Sequence, residues 1–409
     1  MNRNLKIINY LAIIFSFILS IKFLFLINIS LINSYPFITS DGFDWRLEGF
    51  NLHQYQNDFL VKLLILRPPL FVLLNFLDFK ISMLKEGFLL ALFFGLLFYL
   101  KYLYLNKIVY LQTNSRSTIN SIIIFVSIFL SPINFHTVYI LSDHLATTLS
   151  LICIYYLFLF SKSQIKKYYI ISASFALIAG LTQTYGLIPF LVGSFFIFLN
   201  RYPSNRFFYI LTNILILSFF IFLIYIWRML IPHEATPANF VLLNFSLGMT
   251  NYYLNTWVYY LFPIVPIFFI SKIKNKNKYN INMYILITLI TIFSSLAFFY
   301  QWADARFTAI FYFYIIIVAL IISTNFKKNI ILMLLFLQLF IFPSSYWAPD
   351  ISKASLTIDK YWLLNYFKST SSNRGLLDCD HKCLKENKFY IKSDNYTKSS
   401  LKNYTEIKG

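Results

Sequence analysis

Charged residues and cysteine are both scarce in this sequence. Asp, Glu, Lys and Arg make up 12% of its 409 residues, whereas hydrophobic residues make up 58% and the mean hydropathy is +0.65. These values exclude a soluble globular domain. Cys153 stands in an apolar run and is expected to be a small buried residue, while Cys379 and Cys383 flank His381 in a polar C-terminal region. These groups are too few to claim a zinc site, and a disulfide between Cys379 and Cys383 stays an option.

Long apolar runs dominate the rest of the chain. They are about 17–25 residues long, which is the length needed to cross about 30 Å of hydrocarbon as a helix. The alternating pattern of a membrane barrel is absent. We therefore predict an all-α polytopic membrane protein with about eleven transmembrane helices, the first of them a retained helix rather than a cleaved signal peptide. The predicted spans cover residues 5–29, 85–105, two segments within 119–160, two within 168–199 that meet near Gln183, 207–230, 255–271, 281–299, 307–324 and 330–343.

The net charge of +19 is largely concentrated in six short basic stretches between the apolar runs. This distribution indicates topology rather than nucleic-acid binding, because positively charged loops stay in the cytoplasm. The N-terminus is therefore predicted inside, the C-terminus outside and the acidic residues at the outer face. No ionisable residue is expected at the middle of a span. The basic residues are Arg3 and Lys6; Lys101, Lys107 and Arg116; Lys162, Lys166 and Lys167; Arg201 and Arg206; Lys272, Lys274, Lys276 and Lys278; Lys327 and Lys328.

The predicted transmembrane domain covers residues 1–343, and its first outer loop covers about residues 30–84. Apolar side chains in that loop fall near one side of a helix, which suits a helix lying on the membrane surface. Residues 344–409 form a small non-cytoplasmic C-terminal region. A composition rich in Asn, Ile and Lys is typical of an AT-rich bacterial genome, so the predicted location is the bacterial inner membrane. The apolar residues of the surface helix are Trp45, Leu52, Tyr55, Phe59 and Leu63.

Acidic residues of the first outer loop are the first candidates for chemistry. Asp41 and Asp44 stand in a polar stretch of an otherwise apolar chain. A carboxylate in such a place can accept a proton from a substrate hydroxyl. Either residue could instead cap the surface helix through its first free amide groups. Taken alone, the motif favours the capping interpretation.

Four short motifs, taken together, favour a catalytic role over the capping interpretation. They are Asp41-Gly-Phe-Asp-Trp45, Arg67-Pro-Pro-Leu-Phe71, Leu141-Ser-Asp-His-Leu145 and Ala305-Arg-Phe307. The set resembles the GT-C-type integral-membrane glycosyltransferases, the group that includes protein mannosyltransferases and bacterial lipid A glycosyltransferases. The resemblance covers most of residues 1–343 and implies transfer of a sugar from a polyprenyl-phosphate donor to a lipid, glycan or protein acceptor at the non-cytoplasmic face.

The resemblance also implies roles for individual residues. Asp41 is the first choice for the general base and Asp44 the second, in a direct, inverting displacement. Arg306, and next Arg67, would bind the departing phosphate, because a guanidinium donates two hydrogen bonds and stays charged. Both arginines could instead anchor the chain at the membrane interface. Asp143 could orient the substrate or bind a divalent cation together with acids of the first loop. A role as a helix cap explains Asp143 equally well.

Four further residues are weaker candidates for substrate or metal binding. Gln183 stands in Leu181-Thr-Gln-Thr184, where many relatives carry arginine after the threonine. This departure puts the phosphate contact expected there in doubt. His136, and His233 with Glu234, lie on predicted outer connections, where an ordinary hydrogen-bonding role is the simpler interpretation. No cofactor is required by these residues, and a divalent cation is the one option that they leave open.

Two other functional classes compete with the glycosyltransferase. A transporter or flippase of lipid-linked saccharides would be expected to show internal repeats and polar residues in mid-membrane, and neither is predicted. A polymerase or ligase would carry a large catalytic loop in the later half of the chain, whereas the long loop here comes first. The expected partners are the polyprenyl-phosphate donor, the acceptor and membrane lipids, and nucleic acid is not among them.

Overall fold

The computed structural model describes residues 3–33, 69–81, 88–130, 141–200, 206–230, 281–299, 306–323 and 325–341. Within these ranges every regular element is helical and no strand occurs, which confirms the predicted all-helical class. The predicted surface helix of the first loop, the predicted span 255–271 and the C-terminal region 344–409 lie outside the described residues.

Eleven α-helices make up the described part of the chain. α4 continues into a π-helical turn, Val126–Leu130, and a 3₁₀ turn, Thr184–Leu187, lies between α6 and α7. The helices are α1 Arg3–Asn33, α2 Pro69–Ile81, α3 Phe88–Thr113, α4 Thr118–Phe125, α5 Leu141–Ser163, α6 Lys166–Thr182, α7 Ile188–Asn200, α8 Arg206–Leu230, α9 Ile281–Phe299, α10 Arg306–Ile322 and α11 Asn325–Ile341.

Four of the described helices are long and apolar enough to cross a membrane. They contain the segments Arg3–Ile21, Phe88–Thr113, Ser142–Ser163 and Arg206–Tyr225. Shorter apolar helices occupy most of the other predicted spans. The helices therefore support a membrane protein, but the predicted number of eleven spans is not confirmed.

α5 and α10 lie at the centre of the bundle. Residues 142–154 of α5 and residues 312–320 of α10 are buried without interruption. A helix buried around its whole circumference must be surrounded by other elements, so both helices are enclosed. α3 packs on α1, α5 and α10, while α6 and α7 pack on α5 and α9 packs on α7 and α10.

α1 and α3 approach each other closely at Gly95. A Cβ atom at this position would overlap Ser20 Oγ and the main-chain carbonyl oxygen of Ser16. Ser16 and Ser20 are small, and each donates its hydroxyl to the carbonyl four residues earlier, at 2.7 and 3.1 Å respectively. Small residues of this kind let two helices in a membrane pack backbone against backbone.

α6 and α7 are joined by the 3₁₀ turn and contact each other through aromatic rings. The ring of Tyr169, near the start of α6, lies 5.3 Å from the ring of Phe190 and 6.1 Å from that of Phe198 in α7. The chain turns where the sequence predicted a junction, since α6 ends at Thr182 and Gln183 is extended at φ −152°. Gly186 is required in the turn, because a Cβ atom there would lie 2.6 Å from the carbonyl oxygen of Ala179.

α3 and α5 run in the same direction, which gives the bundle two distinct ends. The ring of Phe98 contacts His144 at the start of α5, and Tyr104, farther along α3, contacts Tyr155. We call the end that contains the starts of α3 and α5 and the 3₁₀ turn the Asp143 end. At the opposite end, the basic end, the exposed charged residues are Arg3, Lys6, Arg116, Lys162, Lys166, Lys167 and Arg206.

Candidate functional site

Asp143 lies buried in the first turn of α5, with 8% of its surface exposed. The hydroxyl of Tyr185, in the 3₁₀ turn, donates a hydrogen bond to Oδ1 of Asp143. The Tyr185 ring meets Phe293 of α9 edge-on, with 6.2 Å between centroids. A carboxylate in the first turn of a helix is favoured by the free amide groups and the dipole there. Three elements thus fix the position of this carboxylate.

Gln183 joins the same region from the end of α6. Its side-chain Nε2 donates to Ser142 Oγ at 2.7 Å, and Ser142 is the residue before Asp143. The main-chain N–H of Gln183 donates to the carbonyl of Ala179 at 2.8 Å, which ends the helix and directs the chain into the turn. Two candidate residues from separate motifs, Asp143 and Gln183, are therefore neighbours in space.

A buried basic pair, which was not predicted from the sequence, lies next to Asp143. Lys101, halfway along α3, is 0% exposed, and its Nζ lies 2.7 Å from Nδ1 of His144. His144 Nε2 faces the carbonyl oxygen of Phe94 at 3.4 Å. A carbonyl only accepts, so Nε2 carries the hydrogen and Nδ1 accepts from Lys101.

This pair corrects two expectations. The sequence places Lys101 in a basic stretch between two apolar runs, and it predicts no ionisable residue at the middle of a span. Lys101 instead lies inside α3, with its side chain in contact with α5. The position of Lys101 in the sequence led to the wrong prediction. Lys101 follows an apolar run and precedes Lys107 and Arg116, as expected for the basic flank of a membrane span. The useful signal was His144, an imidazole directly after Asp143 and within an apolar helix.

Aromatic rings enclose the Lys101–His144 pair. The ring of Phe98 lies 4.2 Å from the His144 ring, and the ring of Phe94 stacks on it at 5.3 Å. On the other side, Lys101 Nζ lies 4.9 Å from the centre of the Phe313 ring in α10. An ammonium group is attracted to such a ring face, and the attraction grows when water is excluded.

Hydroxyl groups brace the start of α5. Thr147 donates to the carbonyl of Asp143 at 2.6 Å, and Thr148 donates to that of His144 at 2.7 Å. Ser150 donates to the carbonyl of Gly186 at 3.5 Å, which connects α5 with the 3₁₀ turn. The two threonine bonds lie within α5, and the Ser150 bond is the one of the three that joins α5 to the turn carrying Tyr185.

α2 also borders the Asp143 end. Its Leu70 and Leu74 pack against a small apolar cluster that contains Leu145 of α5 and Ala179 of α6. Asp78 of α2 is 0% exposed, and its Oδ1 accepts the main-chain N–H groups of Leu89 and Leu90 at 3.0 and 3.2 Å. Asp78 therefore caps α3 from another helix, which is a structural role.

The remaining candidates contribute no described side chain. Arg306 is the first residue of α10, and its side chain is not described. Among the described residues, no group of three or more His, Cys, Asp or Glu side chains could hold a metal ion. The candidates that lie outside the described ranges are Asp41, Asp44, Arg67, His136, His233 and Glu234.

Comparisons of the chain with protein-family models, with curated proteins and with solved structures give no match.

Proposed function

We propose that the protein is a membrane glycosyltransferase that transfers a hexosyl or pentosyl group from a polyprenyl-phosphate donor to an envelope acceptor. The observation that supports it best is the meeting of Asp143 and Gln183 at one end of the bundle. A carboxylate and an amide side by side suit sugar hydroxyls, because the carboxylate accepts and the amide both accepts and donates hydrogen bonds.

The charges of the described helices support the orientation that this function needs. The exposed basic residues lie at one end, and the two described acids, Asp78 and Asp143, lie at the other. By the positive-inside rule the basic end would face the cytoplasm and the Asp143 end the opposite side. We extend this to the whole chain as eleven spans in a bacterial inner membrane, with a cytoplasmic N-terminus and a non-cytoplasmic C-terminus.

The transfer needs a base for the acceptor hydroxyl and a cation for the departing phosphate. Asp41, or else Asp44, is proposed as the base, and Arg306 and Arg67 as the phosphate ligands. Two features make the arginines plausible. Arg306 begins α10 seven residues before Phe313, or about 10 Å of helix, and Phe313 contacts Lys101. Arg67 precedes Pro69, the first residue of α2, by two positions.

The direct test is turnover by the purified full-length protein in detergent. We expect it to release polyprenyl phosphate from a polyprenyl-phosphate sugar in the presence of an acceptor lipid. Asp41→Asn should abolish turnover with folding intact. Asp78→Asn is the matched control, since it keeps the oxygen that caps α3 and should stay active. Equal turnover with a nucleotide sugar as donor would overturn the proposal, and full activity of Asp41→Asn would remove Asp41 as the base.

The Lys101–His144 pair favours a second candidate, a transporter of lipid-linked saccharides. Ionisable side chains inside membrane helices often mark transport or proton pathways. The two functions can be distinguished by experiment, because transport can be measured only across a sealed bilayer whereas sugar transfer can be measured in detergent. Movement of a fluorescent lipid-linked sugar across proteoliposomes, without turnover in detergent, would favour the transporter.

A further inference from the structure

α3, α5 and α6 border a groove on the surface of the bundle, and α5 forms its floor. The ring of Tyr156 in α5 lies 6.4 Å from that of Tyr104 in α3 and 6.2 Å from that of Tyr168 in α6. Tyr156 nevertheless stays partly exposed, although residues 142–154 of the same helix are buried. The floor is therefore partly uncovered where it lies between α3 and α6, and we call this surface the Tyr156 groove.

α2 covers the groove toward the Asp143 end. Leu74 of α2, Leu100 of α3 and Phe175 of α6 pack on one apolar cluster that contains Leu149 of α5. Phe175 also stacks on the Tyr156 ring, with 6.2 Å between centroids. Because α2 packs on both α3 and α6, the groove is closed at this end and opens toward the basic end.

Lys107 of α3 lies on the wall of the Tyr156 groove. Its Nζ lies 4.5 Å from the centre of the Tyr104 ring and 5.5 Å from that of the Tyr155 ring, and its side chain is partly exposed. The two acids of the described helices, Asp78 and Asp143, both lie at the other end of the bundle. No described carboxylate therefore neutralises this ammonium group.

Lys162 is a second cation at the mouth of the groove. It follows Tyr155 by seven residues on α5, so helix geometry returns it to within about 20° of the same side, about 10 Å closer to the basic end. Its side chain is exposed. Two positive charges therefore border an aromatic surface whose tyrosine hydroxyl groups can also donate hydrogen bonds.

An apolar strip leads away from Lys107 along α3. Leu100 and Leu96 precede Lys107 by seven and eleven residues, and both lie within about 20° of its side of the helix. Leu96 is 49% exposed and Leu100 is partly exposed. From Leu96 to Lys107 the helix rises about 16 Å, close to half of the roughly 30 Å of hydrocarbon in a bilayer. The strip thus has the length of one leaflet, with the cation at its outer end.

We propose that the Tyr156 groove binds an anionic phospholipid of the leaflet at the basic end. The phosphate accepts charge-assisted hydrogen bonds from Lys107 and Lys162, and an acyl chain lies along the leucine strip. Tyrosine is common at a membrane interface, where it contacts lipids of any head group, but a partly buried cation between two rings selects negative charge. This site goes beyond the proposed function, because it lies toward the end opposite Asp143 and requires no sugar donor.

The experiment is native mass spectrometry of the full-length protein in detergent with two lipids of the same acyl chains. Phosphatidylglycerol is anionic, and phosphatidylcholine carries no net charge. The wild type should bind phosphatidylglycerol more tightly. Lys107→Met should weaken that binding about fivefold, which corresponds to about 1 kcal/mol for one lysine near a head group, and leave phosphatidylcholine binding unchanged. Lys107→Arg keeps the charge and should keep the preference.

Lys166→Met is the matched control. Lys166 also lies at the basic end, and its Nζ lies 3.9 Å from the centre of the Phe208 ring in α8. It precedes Tyr168 by two residues, so the two side chains point about 160° apart around α6 and Lys166 lies away from the Tyr156 groove. This variant removes the same charge from the same end, and its affinity for phosphatidylglycerol should stay within about twofold of the wild type.

Three results would overturn the proposal. Equal binding of the two lipids by the wild type would show that the groove does not select charge. An unchanged preference in Lys107→Met would remove Lys107 from the site, and equal losses in Lys107→Met and Lys166→Met would indicate a general attraction to the basic end. Should Lys107→Met not fold, Lys162→Met decides, because this residue is exposed. It should weaken phosphatidylglycerol binding more than Lys166→Met does, and equal effects of the two would contradict the site.

Discussion

Removal of the Tyr185 hydroxyl tests the contact on which the candidate site depends most. The substitution Tyr185→Phe keeps the ring and its edge-on contact with Phe293 and deletes the donor to Asp143 Oδ1. The carboxylate would stay in the first turn of α5, because the Thr147 bond to the Asp143 carbonyl does not involve the changed residue. The loss should therefore appear in the orientation of the carboxylate.

The expected loss of activity follows from the type of hydrogen bond that Tyr185→Phe removes. A hydrogen bond to a charged group contributes about 1.5–3 kcal/mol, and the site is buried, so solvent does not replace the lost donor freely. If the bond orients Asp143 for the donor sugar, this energy corresponds to a decrease in kcat/KM of roughly 10- to 150-fold.

Tyr169→Phe is the matched control for this substitution. The Tyr169 hydroxyl donates to the carbonyl of Tyr209 at 3.2 Å and accepts from Asn213 at 2.7 Å, and these groups are neutral. It belongs to the end of α6 opposite Asp143. Its loss should lower the free energy of unfolding by about 0.5–1.5 kcal/mol without a specific effect on turnover.

The assay is release of polyprenyl phosphate at varied donor concentration, together with the thermal unfolding midpoint of each variant in detergent. We expect Tyr185→Phe to lose activity far more than stability, and Tyr169→Phe to do the reverse. Equal activity of Tyr185→Phe and wild type would refute the argument that this hydroxyl orients a carboxylate needed for the reaction.

Two further predictions concern the helices that support the site. Gly95→Ala should lower the thermal unfolding midpoint, because its Cβ would overlap the backbone of Ser16. Gly193→Ala is the control, because its Cβ would meet only side-chain atoms, of Leu157 and Ile285. Equal midpoints of the two variants would contradict the close packing of α1 and α3. Asp78→Ala should cost about 0.5–2 kcal/mol of unfolding free energy through loss of the α3 cap. Asp78→Asn should retain most of it, and equal losses in denaturant unfolding would argue against capping.

The sequence predicted most of the described helices because length and apolarity determine them, but α2, Pro69–Ile81, lies within the predicted first outer loop and was not predicted. The turn near Gln183 could also be predicted, since a straight helix over residues 168–199 would reach about 48 Å, more than a membrane requires. Asp143 and Gln183 were singled out by short motifs. Their contact through Ser142 and Tyr185 could not be predicted, because it depends on how α6 packs against α5.

Tyr185 and Lys101 were missed for different physical reasons. Tyr185 is one of 31 tyrosines, and most aromatic residues of a membrane protein serve packing or the interface, so composition cannot distinguish it. Lys101 lies on the buried side of α3, and the exposed side of α3 is apolar as well, with Leu92 and Leu96 exposed, so the helix shows no polar face in its sequence. In the sequence, Lys101 resembles the basic flank of a loop, and only its contact with His144 shows that it belongs to the buried part of the helix.

The geometry of α5 explains how one turn can serve both the candidate site and the buried basic pair. Successive side chains on an α-helix point about 100° apart, so Asp143 and His144 cannot face the same neighbour. Asp143 faces the 3₁₀ turn with Tyr185, and His144 faces α3 with Lys101. The Lys101–His144 contact and the Tyr185–Asp143 contact therefore lie on different sides of α5.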